Sequence, residues 1–175
     1  MTRCNFEEII NNEMRDIKNY IAQEEALIKT LEGIKIKKTK KGEYFKNINK
    51  GLEGATFKKS EIGFGGESEL EVCYSYEKAD GRKEYIRHSI YLYKSLDDNE
   101  ISEYENKPGI IFNRGPYIKK IYIYDISEWE ELINEEIEKA KIRQGRREIS
   151  IELLNTQKNR IKGLINQLNL EVEKA

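Results

Sequence analysis

Between Glu69 and Tyr93 the side chains alternate: Leu70, Val72, Tyr74 and Tyr76 interleave with Glu69, Glu71, Cys73, Ser75 and Glu77. That is the period of a half-buried strand. Ile86, His88, Ile90 and Leu92 repeat it after Ala79-Asp80-Gly81. A three-residue hairpin loop with glycine in its left-handed third position sets Tyr74 opposite Ile86, Val72 opposite His88 and Leu70 opposite Ile90, so the apolar residues share one face. A two-residue loop on Asp80-Gly81 slips the register by one and divides them between both faces. The pattern therefore predicts the three-residue loop.

The period changes at both ends of the chain. Phe6, Ile10, Met14, Ile17, Ile21, Ile28 and Leu31 recur at three, four or seven residue steps, interrupted by Glu24, which predicts a helix over about residues 5–32. Asn5 with Glu8 suits its N-terminal cap, and Gly33 its end. Such a helix is roughly 40 Å long at 1.5 Å per residue and calls for a helical partner. The partner stripe comes after Ser127, read as an N-cap with Glu130 in the box position. It runs through Trp129, Ile133, Ile137 and Ala140, and then Ile151, Leu154, Ile161, Leu164, Ile165, Leu168 and Val172. Gly145 is expected to kink or break it, giving helices over about 128–144 and 147–173.

Between the helices, residues 34–125 read as sheet. Ile34 to Lys38 and Glu43 to Ile48 suit short strands, and another fits near Ala55 to Lys58 within a glycine-rich connection. Ser95 to Pro108 reads as an acidic loop. Ile110 to Asn113 and Tyr117 to Tyr124 form a second strand pair, with Ile121 and Ile123 inward and Tyr122 and Tyr124 outward. The expected fold is one α+β domain over residues 1–175: a central antiparallel sheet of about five to six strands packed by helices, its long N- and C-terminal amphipathic helices pairing as a coiled-coil-like arm. A covered arm leaves a monomer, and a protruding one makes a homodimer.

Charge narrows the function classes. The 31 basic and 32 acidic side chains nearly cancel, so no global field selects nucleic acid or an anionic membrane. No apolar run approaches the roughly 20 residues of a membrane span, and the first helix is too acidic for a signal peptide. A soluble, cytoplasmic protein is expected. Cys4 and Cys73 form no metal or redox motif, and the usage of Lys, Glu, Ile, Asn and Tyr is that of AT-rich coding.

Most chemical motifs fall away. His88, the sole histidine, lies on the apolar face, which suits a partnered imidazole better than a catalyst. Asp97, Asp98 and Glu100 read as a solvated turn rather than a cation site, and Gly63-Phe64-Gly65-Gly66 is not followed by the helix a phosphate loop requires. No catalytic residue, metal or cofactor is assigned.

Two surfaces remain. Tyr85, Arg87, Tyr91 and Tyr93 project from the outer side of the hairpin, joined by Tyr122 and Tyr124 as protein-interface candidates. Lys35, Lys37, Lys38, Lys40, Lys41 and Lys46 surround Tyr44, while Arg143, Arg146 and Arg147 cluster later, a set suited to nucleic acid. The leading expectation is a non-enzymatic protein-binding module. Its specific form is a phage or mobile-element accessory protein that inhibits a host defence system, and nucleic-acid binding through the basic clusters is the alternative.

Overall fold

The computed structural model describes residues 5–36, 54–59, 68–113 and 119–174. In chain order its elements are helix α1 (Phe6–Glu32), strands β1 (Gly54–Lys59), β2 (Ser68–Glu77), β3 (Lys83–Tyr91) and β4 (Tyr93–Leu96), and the short helix α2 (Ile101–Tyr104). Strands β5 (Ile110–Phe112) and β6 (Lys120–Ile123), a 3-10 turn (Ile126–Glu128) and helix α3 (Trp129–Lys174) complete the fold.

The alternating segments form the expected hairpin. β2 and β3 pair antiparallel with Tyr74 opposite Ile86, Val72 opposite His88 and Leu70 opposite Ile90. Lys78 donates its N–H to the Arg82 carbonyl at 2.9 Å across a loop in which Gly81 has φ +79°. A side chain at that left-handed position would be strained. Asp80 fixes the same loop from outside, accepting from the backbone N–H and the guanidinium of Arg82. β1 adds to the other edge of β2, with Ala55 opposite Val72 and Phe57 opposite Leu70.

In place of a single sheet of five to six strands, the structure contains two antiparallel sheets of three, ordered β1-β2-β3 and β4-β6-β5. The chain changes sheet at Leu92. Its N–H donates to the Ser68 carbonyl of β2, and its own carbonyl accepts from Tyr124 N–H beyond β6. One buried residue thereby joins both sheets, and β4 pairs with β6 instead of prolonging β3. The acidic stretch after Ser95 is also more ordered than a loop, since it holds the end of β4 and all of α2. Of the two strands expected between Ile34 and Ile48, everything beyond Ile36 lies outside the described residues.

The larger core lies where α1 and α3 cover the inner face of the first sheet. Leu27 and Leu31 meet Leu70, Val72, Tyr74 and Ile90, and Trp129, Ile133, Ile137 and Ala140 close it from α3. Phe57 stacks on Trp129 with ring centroids 5.6 Å apart. A smaller core of Leu96, Tyr104 and Tyr122 serves the second sheet.

The start of α3 corrects the expected cap. Asp125, not Ser127, is the capping residue: its carboxylate accepts from Ser127 N–H at 3.0 Å, and Glu128 reaches back to Asp125 N–H at 2.9 Å. Two orphan amides are satisfied reciprocally two residues earlier than Ser127 and Glu130 would do it. Asn5 likewise caps α1 through its carbonyl, which accepts from Glu8 and Ile9, and not through its side chain. Helix α3 then runs unbroken for 46 residues through Gly145, about 70 Å at 1.5 Å per residue. The helix is longer than either sheet needs.

α1 and α3 lie antiparallel. Glu24 pairs with Arg143, Tyr20 with Arg147, Asn11 with Lys158 and Glu7 with Lys162, so the α3 number rises as the α1 number falls. These contacts are polar at their edges. No helix among the described residues is long and apolar enough to cross a membrane.

Candidate functional site

The hairpin register decides which tyrosines are available. Odd-numbered residues of β2 and β3 point away from the helices, and β3 is the edge of its sheet. Tyr85 and Tyr91 are 54% and 59% exposed, and Arg87 between them is exposed as well. Tyr93, just past the bend at Leu92, is half-buried and meets Tyr91 edge to face at 5.6 Å. Lys83 lies 5.5 Å from the centre of the Tyr85 ring. Across the sheet, Glu69 stands opposite Tyr91, Glu71 opposite Ser89 and Glu77 opposite Lys83. The result is an aromatic and cationic edge against an acidic central strand.

Tyr122 and Tyr124 do not belong to this face. Tyr122 is fully buried, because β6 is the central strand of the second sheet and Ile121 beside it is buried too. Tyr104 of α2 packs edge to face on the Tyr122 ring at 4.9 Å, and Tyr124 packs on it at 5.1 Å. The Tyr122 hydroxyl donates to Glu128 at 2.7 Å, and burial together with that carboxylate pushes its pKa up to about 12. Burial and the neighbouring Tyr104 raise Tyr124 further. Lys94 closes the cluster, donating to Glu100 at 2.7 Å and to the Tyr104 hydroxyl at 3.2 Å, which holds its ammonium charged well above the usual lysine range. These tyrosines hold the second sheet to the start of α3, with Tyr122 fully buried and Tyr124 half-buried.

The basic residues divide in the same way. Arg143 is engaged by Glu24 through two hydrogen bonds of 2.8 and 3.1 Å, with Glu136 at 3.7 Å. Arg147 sits 4.2 Å over the Tyr20 ring. Arg146 and Lys35 are exposed, while Lys37, Lys38, Lys40, Lys41, Tyr44 and Lys46 lie outside the described residues. Arg143 and Arg147 thus form part of the seam between α1 and α3, while Arg146 stays exposed. Glu24, which interrupts the apolar stripe of α1, was the signal for it: an acid in one stripe implies a base in the facing one.

His88 completes this seam from the sheet. Its Nε2 lies 3.2 Å from Glu136, which also receives Lys139 at 3.6 Å. The hydrogen bond from His88, opposed by burial, holds the Glu136 carboxyl below the usual carboxylate range. No protein-family model, curated protein or solved structure matches this chain.

Two further features were weighed for chemistry. A cleft of about 470 Å³ between α1 and the hairpin tip is lined by Glu13, Asp16, Tyr20, Tyr76, Lys78 and Glu84. Within it Tyr76 donates to Glu84 at 2.9 Å and Lys78 pairs with the same carboxylate, so these three groups satisfy one another. Asp97 and Glu100 are likewise engaged, by Lys119 and Lys94. Among the described residues no group of three or more His, Cys, Asp or Glu is arranged to hold a metal ion.

Proposed function

We propose that the chain is a non-enzymatic protein-binding module whose contact surface is the outer face of the β2–β3 hairpin. The observation that carries this reading is the row Tyr85, Arg87, Tyr91 on an edge strand, exposed while most other tyrosines of the two sheets are packed inward. Tyrosine and arginine are what protein interfaces concentrate at their energetic centres, because each offers a large apolar body with a polar end. The strand that carries them is fixed by nine pairings to β2, so little ordering is needed on binding. The neighbouring Glu69, Glu71 and Glu77 would repel phosphates, and they suit a partner with basic or amide groups at its rim. An accessory protein of a phage or mobile element that blocks a host defence protein is the specific form of this reading, supported by amino-acid usage alone.

Affinity capture with the wild type and with a Tyr85→Ala, Arg87→Ala, Tyr91→Ala variant tests it. The expected result is a protein retained by the wild type and lost by the variant, with the urea midpoint of the variant unchanged. The same proteins on both columns would overturn the assignment of this face. Nucleic acid that co-purifies with both and leaves at high salt would move the function to the basic residues.

A further inference from the structure

Hydrogen-bond parity fixes which backbone groups β3 leaves open. Lys78 N–H donates to the Arg82 carbonyl at one end of the hairpin, and Leu92 N–H donates to the Ser68 carbonyl at the other. The register between these two bonds is unbroken. Antiparallel strands exchange backbone bonds at every second residue, so Glu84, Ile86, His88 and Ile90 turn their N–H and C=O toward β2. Tyr85, Arg87 and Ser89 turn theirs the other way, to the edge of the sheet, where no strand of the described residues lies. The open donors and acceptors therefore belong to the same stretch of β3 that carries the exposed Tyr85, Arg87 and Tyr91.

The usual guards of an edge are missing here. β3 contains no proline and no bulge, and at 9 residues it is longer than the common strand of about 5–6. Only an extended backbone presents the matching alternation of acceptors and donors, so the chemistry of the edge calls for a strand. The side chains say what kind. Lys83, Tyr85, Arg87, Ser89 and Tyr91 share the outer side, a row with cations and no acid. Arg87 stands opposite Cys73 on β2 and not opposite a carboxylate, so its counter-charge can come from the other side. A second copy of β3 offers none: in any register it brings the same cations into one seam. On the inner side Ile86 is partly buried against the larger core and Ile90 is buried in it, so apolar side chains suit the positions next to them.

We propose that the partner protein adds an extended segment to the β3 edge, bonded to the backbone of Tyr85, Arg87 and Ser89. That segment carries an acidic side chain beside Arg87 and apolar ones beside Ile86 and Ile90. The proposal rests on the hairpin-face reading and deepens it, since a strand added here lies alongside the row of Tyr85, Arg87 and Tyr91. Backbone bonds supply the affinity, and the charge beside Arg87 supplies the selectivity.

Amide hydrogen exchange on the full-length chain, followed residue by residue with magnetic resonance, tests this. The probe is a capped synthetic peptide the length of β3, in which valine alternates with threonine around a central glutamate. In the free chain the amides of Ile86 and His88 should exchange slowly and those of Tyr85, Arg87 and Ser89 quickly. Saturating peptide should slow the latter group by roughly tenfold or more. A peptide with lysine in place of the glutamate should bind about tenfold more weakly. Arg87→Glu should reverse that preference, and slow exchange at Ile86 and His88 shows that the variant folds. A glutamate peptide that leaves Tyr85, Arg87 and Ser89 fast overturns strand addition. The hairpin-face reading fails separately, if the triple alanine variant retains the captured protein. Equal binding of both peptides overturns the acidic class assigned to the segment. Slow exchange at Tyr85, Arg87 and Ser89 in the free chain also overturns the proposal, and a doubled mass in light scattering would then mark a second copy as the occupant.

Discussion

Gly109 donates its backbone N–H to the Tyr122 hydroxyl oxygen at 2.7 Å, and that hydroxyl donates in turn to Glu128 Oε2, also at 2.7 Å. Glu128 is the residue that reaches back to Asp125 N–H to cap the entry to α3. A buried phenol thus ties the residue before β5, the centre of β6 and the first turn leading to α3 into one polar chain. Chains of this kind polarise one another, and cutting one link leaves the others buried with unmet partners.

Crowding the start of that chain or cutting its middle link should therefore be costly. Gly109→Ala places a Cβ against the Ile123 carbonyl and the Tyr122 ring, and backbone cannot step aside as a flexible side chain can. We expect a loss of about 1–3 kcal/mol from overpacking. Tyr122→Phe should cost a similar ~1–3 kcal/mol through the orphaned Gly109 amide and the donor lost by Glu128, whose carboxylate keeps only the Asp125 N–H. Urea unfolding of each variant measures this, and a Gly109→Ala protein within about 0.5 kcal/mol of wild type would contradict the packing described.

Arg143 joins α1, α3 and, through Glu136, the sheet. Arg143→Ala leaves Glu24 and Glu136 facing each other with a base removed, and we expect about 1–3 kcal/mol of destabilisation, toward the lower end because the arginine side chain is 36% exposed. The paired exchange Glu24→Leu with Arg143→Met should recover most of it, since apolar groups of similar size can replace an ion pair in an otherwise apolar stripe. Denaturation midpoints for the two single variants and the double variant form the cycle that decides this.

How much of this was legible in the sequence varies with the kind of signal each feature leaves. The hairpin register was readable because Leu70, Val72, Tyr74, Ile86 and Ile90 must share a face and Gly81 permits only one turn that lets them. The outward placement of Tyr85 and Tyr91 follows from the same register. The division into two sheets was not readable, because it is made by the backbone of Leu92, whose N–H and carbonyl serve different sheets whatever its side chain. Tyr122 was placed outward by alternation with Ile121 and Ile123. Alternation fails on a strand covered on both sides, and β6 is such a strand.

Acid should expose the contribution of Glu136. Its folded pKa is depressed by the His88 hydrogen bond, so its stabilisation is present above the ordinary carboxyl value of 4.5 and is lost as pH falls through the lower folded value. Glu136→Gln should be less stable than wild type at neutral pH by about 1–3 kcal/mol, and the gap should close below pH 4.5 as the wild-type carboxyl is protonated. Thermal midpoints across this pH range provide the check. A gap of constant size would mean that the lost packing, and not the charge, accounts for it.

Alkali acts through the tyrosines with the opposite sign. Tyr76 and Tyr122 are pushed up from 10 to about 12, chiefly by burial and then by the carboxylates of Glu84 and Glu128. The folded state holds the neutral phenol, so this stabilisation is complete below pH 10 and is lost as pH rises toward 12. Tyrosinate absorbance followed beside circular dichroism should show the last phenols ionising together with the loss of helix. Complete ionisation while the helices persist would contradict the burial of these two side chains.

Gly145 offers a test in the stabilising direction. Glycine in a helix interior costs roughly 0.5–1 kcal/mol relative to alanine, and this expense predicts a kink. The helix nevertheless continues, because Arg143 on one side of the glycine and Arg147 on the other are both engaged with α1, which holds the intervening turn in place. A Cβ at Gly145 would meet nothing within 4 Å. Gly145→Ala should therefore raise the stability by about 0.5–1 kcal/mol, mainly by restricting the unfolded chain, without changing the fold. The urea midpoint measures the gain. A loss instead would mean that this turn of α3 needs the freedom of glycine, and that the helix bends there after all.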